Sequence, residues 1–243
     1  MHISILTLFP DMFDGPFDQS IIKRAVDKKL LTISYIKIRD FATDKYKTVD
    51  GHPYGGGVGM LLRVDVVDRA LHSVLSSSGL TRGTAFSGKA DSRLRGNDTK
   101  TRIILLDAGG TPYTQRKAKE LSSIDHLILI CGHYEGVDER IRSLVDEEIS
   151  IGDYVLTGGE IPAMVVVDSV ARLIPGVLTK PEATVHESFT EALLEYPQYT
   201  EPQTYKGQGV PPVLLSGNHK MIDVWRSDEA IKRTKSRRAD LTS

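Results

Sequence analysis

Short apolar runs alternate with segments of helical spacing along the first part of the chain. "HISILTLFP" predicts a buried strand that ends at Pro10, and "LTISYIKIRDF" alternates as a strand does. Between them, "SIIKRAVDKKLL" predicts a helix with Ser20 as its N-terminal cap. "DGHPYGGGVGMLL" holds four glycines from Gly55 to Gly59 and predicts a loop, and "VDVVDRALHSVL" predicts the next helix.

Three later segments share one design. "RIILLDAGG", "HLILICGHYEG" and "EEISIGDYVLTGGE" each run from an apolar strand into a loop that contains glycine. Helical patterns in "TQRKAKELSS" and "VDERIRSLV" separate them, so the fold class is α/β with a parallel sheet. Ligands bind at the carboxyl ends of such strands. The loops therefore predict one shared site, with three ordinary strand-to-helix turns as the alternative.

The remaining pattern indicates a second, smaller domain. "IPAMVVVDSVARLIP" predicts a helix with Pro162 in its first turn and Pro175 beyond its end. We expect a first domain over 1–178, a linker over 179–186 and a small helical domain over 187–243, in which "SGNHKMIDVWRSDEAIKRTKSRR" suggests two short helices capped at Ser216 or Asn218. Residues 76–101 are polar and poor in aliphatics, which predicts a mobile surface insertion.

Composition narrows the class of protein. The 243 residues are 40% hydrophobic and 26% charged, as in a soluble globular protein. A single cysteine excludes an internal disulfide and favours a reducing, cytoplasmic setting, and the sequence shows neither a signal peptide nor a membrane-spanning run. The net charge of -1 does not indicate nucleic-acid binding. From Lys220 to Arg238, however, seven basic and three acidic residues give +4, typical of a phosphate-contacting patch or of a solvated helix face.

Several familiar kinds of site are absent from the sequence. The dinucleotide pattern G-x-G-x-x-G fails at Met60 when it is started from Gly55, and no phosphate-binding P-loop is present. No cysteine–histidine cluster indicates structural zinc. Cys131 follows "LILI", which predicts a buried core residue. The glycine loops therefore point away from the common nucleotide-binding and zinc-binding proteins.

Six stretches, taken in order, carry a family resemblance. "LTLFPDMF", "DGHPYGGGVGM", "CGHYEGVDER", "SIGDYVLTGGE", "DSVARLIPGVL" and "PPVLLSGNH" closely resemble the bacterial tRNA (guanine-N(1))-methyltransferases of the SPOUT superfamily. The similarity covers nearly the whole chain outside 76–101. It implies a parallel sheet with a deep C-terminal trefoil knot, and a homodimer whose active sites form between subunits. It also implies methyl transfer from S-adenosylmethionine to the guanine just 3′ of the tRNA anticodon.

The same resemblance assigns the cofactor contacts. They lie in three loops and the helix that follows, and they are Leu105, Leu106, Asp107, Gly132, Tyr134, Glu135, Gly136, Ile151, Gly152, Asp153, Tyr154, Val155, Leu156, Gly158, Gly159 and Pro162. Glycines in these loops would let adenine approach the backbone closely. The first loop departs from the family's Y-L-S-P-Q-G type, because the chain reads L-L-D-A-G-G from Leu105 to Gly110. Because this loop would contact the cofactor, we expect the departure to change the affinity for it.

Guanine N(1) carries a proton that must leave before it attacks a methyl group, so the reaction needs a base and a donor for the developing negative charge. By resemblance the base is Glu187 in "HESF", where the family has an aspartate, and His186 beside it is the rival base. Arg172 matches the family's catalytic arginine, although Asp168 four residues earlier also allows a surface ion pair.

The resemblance also assigns the residues that would contact the RNA. It assigns contacts with the target nucleotide or its neighbour to Asp50, Tyr54, Gly55, Gly56, Gly57 and Gly59, with Val58 replacing a common proline. It implies tRNA as partner and Mg²⁺ during catalysis, for which the sequence shows no dedicated ligand set. Two alternatives stay open: a catalytically weak or inactive SPOUT protein that binds RNA, and a SPOUT methyltransferase with another RNA target.

Overall fold

The computed structural model describes residues 1–77, 100–180, 184, 187–190 and 192–242. They form two compact units, Met1–Thr179 and Lys180–Ser243, each taken by itself below. The predicted insertion falls mainly outside the described residues, although Ser76 and Ser77 complete a helix and Thr101 begins a strand.

A five-stranded parallel sheet forms the centre of the first unit. Its strands, in chain order, are β1 (His2–Thr7), β2 (Thr32–Lys37), β5 (Thr101–Pro112), β6 (His126–Cys131) and β7 (Glu147–Ser150), arranged as β2-β1-β6-β5-β7. Two short strands, β3 (Asp50–Gly51) and β4 (Leu61–Leu62), pair antiparallel and close the glycine-rich loop. The predicted parallel α/β sheet is therefore confirmed.

Among the described residues of this unit, four α-helices flank the sheet: α1 (Ser20–Asp27), α2 (Val64–Ser77), α3 (Gln115–Leu121) and α4 (Glu160–Ala171). One sequence prediction was wrong here, and a second segment forms a helix of the 3₁₀ type. Ser20 is the first helical residue rather than the cap, which is Gln19 without a side-chain hydrogen bond. "VDERIRSLV" forms a 3₁₀-helix over Glu139–Leu144, where the Asp138 carboxylate accepts from the Arg140 amide.

The sheet is buried on both faces, as parallel sheets usually are. Because successive side chains in a strand point to opposite faces, Ile104 and Leu106 join the cluster with α1 and α4, whereas Ile103 and Leu105 join the cluster with α2. Leu105 is fully buried in the α2 cluster.

β5 and β7 pair through an irregular register. Both Leu106 and Thr111 lie opposite Ile149, so residues 107–110 form a bulge with no partner in β7. The bulge packs closely against β7 at Gly110, because this residue has no side chain and a Cβ there would lie 2.6 Å from the Ile149 backbone nitrogen. The bulge is thus held tightly against its neighbouring strand.

One long helix dominates the second unit. α5 spans His219–Arg237, so the prediction of two short helices was wrong. Asn218 caps α5 by accepting from the Met221 amide, as predicted. A two-stranded hairpin of β8 (Thr204–Tyr205) and β9 (Gln208–Gly209) precedes it. Inside, the buried Thr234 hydroxyl donates to the Ala230 carbonyl and accepts from the Leu194 amide at 2.8 Å.

Candidate functional site

The bulge and the two loops that follow β6 and β7 meet in a cleft of about 140 Å³. The cleft lies beyond the carboxyl ends of adjacent parallel strands, where the sequence predicted a shared site. Fourteen of the sixteen residues assigned to the cofactor line it: Leu106, Asp107, Gly132, Tyr134, Glu135, Gly136, Ile151, Gly152, Tyr154, Val155, Leu156, Gly158, Gly159 and Pro162.

The other two assigned residues do not line the cleft. Leu105 points to the opposite face of the sheet because side chains alternate along β5, and Asp153 is not part of the wall. The cleft instead includes five residues that the assignment missed, which are Ala108, His133, Ile149, Ser150 and Thr157. All five lie within the quoted strand-to-loop segments, so treating each segment as one continuous wall would have included them.

Direct contacts join the loop after β6 to the loop after β7. The Gly159 amide donates to the Gly132 carbonyl at 2.8 Å, and His133 pairs with Gly158 in an isolated bridge. A Cβ on Gly159 would lie 2.6 Å from the Cys131 Cα and 2.8 Å from the Gly132 nitrogen. At this position the glycine is required by the protein's own backbone, before any ligand is considered.

A buried carboxylate lies beneath this junction. Glu160, the first residue of α4, is 1% exposed, and its Oε1 accepts a hydrogen bond from the Thr7 hydroxyl at 2.7 Å. Burial, with a smaller contribution from the Glu160 charge, raises the pKa of Cys131 well above its ordinary value. Cys131 is fully buried in the core, as predicted, and a thiol held in its neutral form is a poor nucleophile.

One end of the cleft carries exposed apolar side chains. Tyr154 folds back so that its ring lies against Gly152, and its hydroxyl donates to the Ile151 carbonyl at 3.2 Å. Val155 beside it is 88% exposed. Apolar walls that alternate with backbone amides and carbonyls suit a flat heteroaromatic ring such as adenine.

The glycine-rich loop borders the cleft. The Glu135 amide donates to the Met60 carbonyl at 3.1 Å, Leu61 bridges Tyr134, and the Glu135 side chain lies over Gly59. Tyr54 at the tip is fully exposed. The residues assigned to the RNA, which are Asp50, Tyr54, Gly55, Gly56, Gly57 and Gly59, thus belong to a loop whose base contacts the cleft.

The two candidate catalytic residues belong to different units. Arg172 caps the end of α4 in the first unit, where its amide donates to the Asp168 carbonyl at 3.4 Å. Glu187 belongs to the second unit, where it lines a pocket of about 350 Å³. Arg226 lies over the Tyr196 ring at 5.0 Å in the same pocket. His186, the rival base, lies outside the described residues.

Part of the basic charge of the second unit is already paired. Lys232 contacts Glu229 at 2.7 Å and Arg226 contacts Asp223 at 3.5 Å. Lys220, Lys235 and Arg237 are exposed along α5. The positive face available to a polyanion is therefore smaller than the sequence count suggests.

The described ranges contain neither a metal-binding cluster nor a membrane-spanning helix. Within them, no group of three or more His, Cys, Asp and Glu side chains is arranged to hold a metal ion. The same part of the chain contains no helix that is long and apolar enough to cross a bilayer.

Comparison with known proteins matches the whole chain. The family model described as "tRNA (Guanine-1)-methyltransferase TrmD" covers residues 1–243. Proteins named tRNA (guanine-N(1)-)-methyltransferase are similar throughout. The one from Carboxydothermus hydrogenoformans is 50% identical over 99% of this chain and 87% of its own length. Those from Dictyoglomus turgidum and Desulforudis audaxviator are 50% and 52% identical, each over 99% of this chain and 89% of the relative. The chain therefore belongs to the tRNA (guanine-1)-methyltransferase family, within the SPOUT superfamily.

Proposed function

We infer that the protein transfers a methyl group from S-adenosylmethionine to N(1) of guanine in tRNA, at the position just 3′ of the anticodon. The observation that carries this function is full-length membership of the family together with a cleft in which the loops after β6 and β7 carry family motifs. S-adenosylmethionine supplies an electrophilic methyl group on a positively charged sulfur.

The chemistry of the cleft walls suits this cofactor. Its walls combine apolar side chains from Ile149 to Leu156 with glycine backbone at Gly132 and Gly158. Backbone amides and carbonyls at these glycines can reach ring nitrogens and the exocyclic amine without an intervening side chain. We propose the fourteen lining residues as the cofactor-binding set, with Leu105 and Asp153 left out.

We propose that Glu187 removes the N(1) proton and that Arg172 stabilises the negative charge that develops on the guanine O6. A carboxylate can accept that proton, and a guanidinium in a site shielded from water stabilises an oxyanion strongly. Both assignments are supported by the resemblance to the family motifs. Glu187 also lines a pocket in its own unit, where it is half-buried.

We propose two contacts with tRNA. The loop from Asp50 to Gly59 receives the target nucleotide or its neighbour after the base leaves its stack, and its fully exposed Tyr54 offers a ring for stacking. The exposed cations of α5 contact phosphates of the anticodon stem.

We also propose the trefoil knot and the homodimer that the family implies, with active sites between subunits. Support for a dimer comes from α4, whose Ile161 and Val165 are 45% and 41% exposed one turn apart. The described residues do not fit a dedicated magnesium site, so no step is assigned to Mg²⁺. We propose a cytoplasmic location, where the single cysteine, Cys131, stays reduced.

One experiment tests the proposed function. The full chain is incubated with methyl-labelled cofactor and unmodified tRNA, and the modified nucleoside is then identified. We expect 1-methylguanosine at the position just 3′ of the anticodon. Tight tRNA binding without methyl transfer would identify an inactive RNA-binding protein. A ribose methyl or transfer to another RNA would refute the assigned target.

A further inference from the structure

Asp107 places a carboxylate on the cleft wall at the bulge of β5. Its Oδ1 accepts a hydrogen bond from the Gly109 amide at 2.8 Å. The same oxygen lies 3.8 Å from Nη2 of Arg142, which approaches from the 3₁₀-helix over Glu139–Leu144. Oδ2 takes part in no hydrogen bond among the described residues, so one oxygen is held by the protein and the other remains for a ligand.

Arg142 holds several acidic groups at once. Its Nε contacts Glu139 Oε2 at 2.9 Å, and its Nη1 contacts the Glu148 carboxylate on β7. The guanidinium therefore links the 3₁₀-helix, β7 and the bulge. Because guanidinium geometry is rigid, this arrangement limits where the Asp107 side chain can lie.

The backbone of the bulge is fixed as well. The Thr111 hydroxyl donates to the Glu148 carbonyl at 2.9 Å, and Gly110 lies so close to β7 that a side chain there would overlap the Ile149 backbone. Asp107 thus sits on a rigid turn, which is the condition for a residue that selects a ligand by geometry.

The chemistry of the carboxylate indicates what it recognises. A carboxylate accepts hydrogen bonds and donates none, and it pairs well with the adjacent hydroxyls of a ribose. The Gly109 amide and the Arg142 guanidinium already offset part of its charge, which weakens it as a counter-ion but leaves it an acceptor. The vicinal 2′ and 3′ hydroxyls are the adjacent neutral donors of an S-adenosyl ligand.

We propose that Asp107 is a specificity-determining residue that accepts hydrogen bonds from the ribose 2′ and 3′ hydroxyls of the S-adenosyl ligand, with Arg142 as its positioning residue. This inference rests on the proposed function, since it takes the cleft as the cofactor site. It gives the L-L-D-A-G-G departure a binding role, because a carboxylate lies on the wall where the Y-L-S-P-Q-G type has a serine.

The test is calorimetric binding of three ligands to the full chain: S-adenosylmethionine, S-adenosylhomocysteine and 2′-deoxy-S-adenosylhomocysteine. In Asp107→Asn we expect about a tenfold weaker affinity for the first two alike, since a charge-assisted hydrogen bond is lost from each. The deoxy ligand keeps its 3′ hydroxyl and lacks only the 2′ hydroxyl, so Asp107→Asn should weaken its binding less than it weakens the binding of S-adenosylhomocysteine.

Asp107→Ser guards against a folding artefact, because a serine hydroxyl can still accept from the Gly109 amide. We expect it to lose the same affinity as Asp107→Asn with an unchanged unfolding midpoint. Arg142→Gln should weaken both ribose-containing ligands about threefold. Arg140→Gln is the matched control from the same 3₁₀-helix, where Arg140 pairs with Asp138 at 2.6 Å, and it should bind as the wild type does.

Two results would overturn the proposal. A loss confined to positively charged S-adenosylmethionine would make Asp107 a counter-ion, and unchanged affinity for both ribose ligands would remove it from recognition. Failure of the wild type to bind either ligand would instead refute the cofactor cleft, and with it the proposed function. The two failures are therefore distinguishable in one set of titrations.

Discussion

The Gly159 amide and the Gly132 carbonyl form a 2.8 Å hydrogen bond across the floor of the cleft. The bond joins the loop after β6 to the start of α4, and it leaves no space for a side chain on Gly159. The shape of the cleft therefore depends on a contact between two backbones, which no side chain can replace.

Replacing Gly159 should disrupt the hydrogen bond between its amide and the Gly132 carbonyl. In Gly159→Ala the new methyl would lie 2.6 Å from the Cys131 Cα, so backbone must move. We expect a loss of about 1–3 kcal/mol in the free energy of unfolding and at least tenfold weaker binding of S-adenosylhomocysteine, measured by denaturant titration and calorimetry. Gly209→Ala is the control, because a Cβ there meets nothing within 4 Å. Wild-type affinity in Gly159→Ala would contradict the role of this contact.

Glu187 should be required for turnover and not for cofactor binding. We expect Glu187→Gln to reduce kcat at least a hundredfold, since an amide cannot take the N(1) proton and a general base typically contributes at least this much. Single-turnover methyl transfer and calorimetry measure the two properties. Glu201→Gln, an exposed residue of the same unit, is the control. Near-wild-type turnover in Glu187→Gln would transfer the role of base to His186.

Two stacked histidines should make the first unit sensitive to acid. His2 and His126 lie on neighbouring strands with ring centroids 4.5 Å apart. The Nε2 atom of His2 is hydrogen-bonded to Ser34, and that of His126 is hydrogen-bonded to Ser4. Burial lowers the pKa of His126 to about 4, with a smaller contribution from His2, whose own pKa is lowered by burial and by the charged N-terminus. Both rings are thus held neutral in the folded state.

Because the folded pKa of His126 lies below its unfolded value near 6.5, the stabilisation is complete above pH 6.5 and is lost as the pH falls towards 4. We expect a loss of about 2 kcal/mol, discounted from the full shift for relaxation of the strands. Denaturant unfolding from pH 7.5 to 4 measures it. His126→Asn should flatten this dependence, whereas His72→Gln, an exposed change on α2, should not. An unchanged slope in His126→Asn would exclude the histidine pair as its source.

The cations of α5 should set the salt dependence of tRNA binding. If Lys235 and Arg237 contact phosphates, the double change to Gln should reduce the slope of log K against log salt by about 1.5 to 2. Fluorescence anisotropy with unmodified tRNA across a KCl series measures the slope. Lys23→Gln, which removes the exposed Lys23–Asp27 pair in the first unit, should leave it unchanged. Equal slopes in the double variant and the wild type would place the phosphates elsewhere.

The exposed face of α4 should mediate dimer formation. A charge at Val165 would be buried without a partner in a dimer, so we expect Val165→Asp to be monomeric and inactive. Sedimentation velocity gives the mass, and the methyl-transfer assay gives the activity. Val224→Asp on α5, where the side chain is 62% exposed, is the matched control for mass. A wild-type monomer, or an unchanged dimer in Val165→Asp, would refute this interface.

The strands and the cleft were predictable from the sequence because their signals are local. An apolar run that ends in glycine indicates a buried strand and a tight loop, and three such runs gave the parallel sheet and most of the cleft wall. The resemblance assigns Leu105 to the cofactor, but it does not line the cleft, because alternation along β5 turns its side chain to the other face of the sheet.

Features that depend on tertiary contacts were not predictable. Ser20 resembles a helix cap, but it is the first helical residue of α1, and Gln19 before it is the cap. The second unit's single long α5 was read as two helices because polar residues interrupt its apolar pattern. The link from Arg142 to Asp107 joins residues 35 positions apart. Nothing in the local sequence around either residue indicates the other.

Leu106 and Thr111 both lie opposite Ile149, and this pairing determines which positions of β5 can diverge in sequence. Four residues leave β5 and return to it opposite the same partner, so the register on either side is independent of what they are. Substitutions at Asp107, Ala108 and Gly109 can therefore alter ligand preference while the strands keep their pairing, provided that Gly110 stays small. Residues 107–109 can therefore be replaced, and the chemistry of the cleft wall changed, without altering the pairing of β5 with β7.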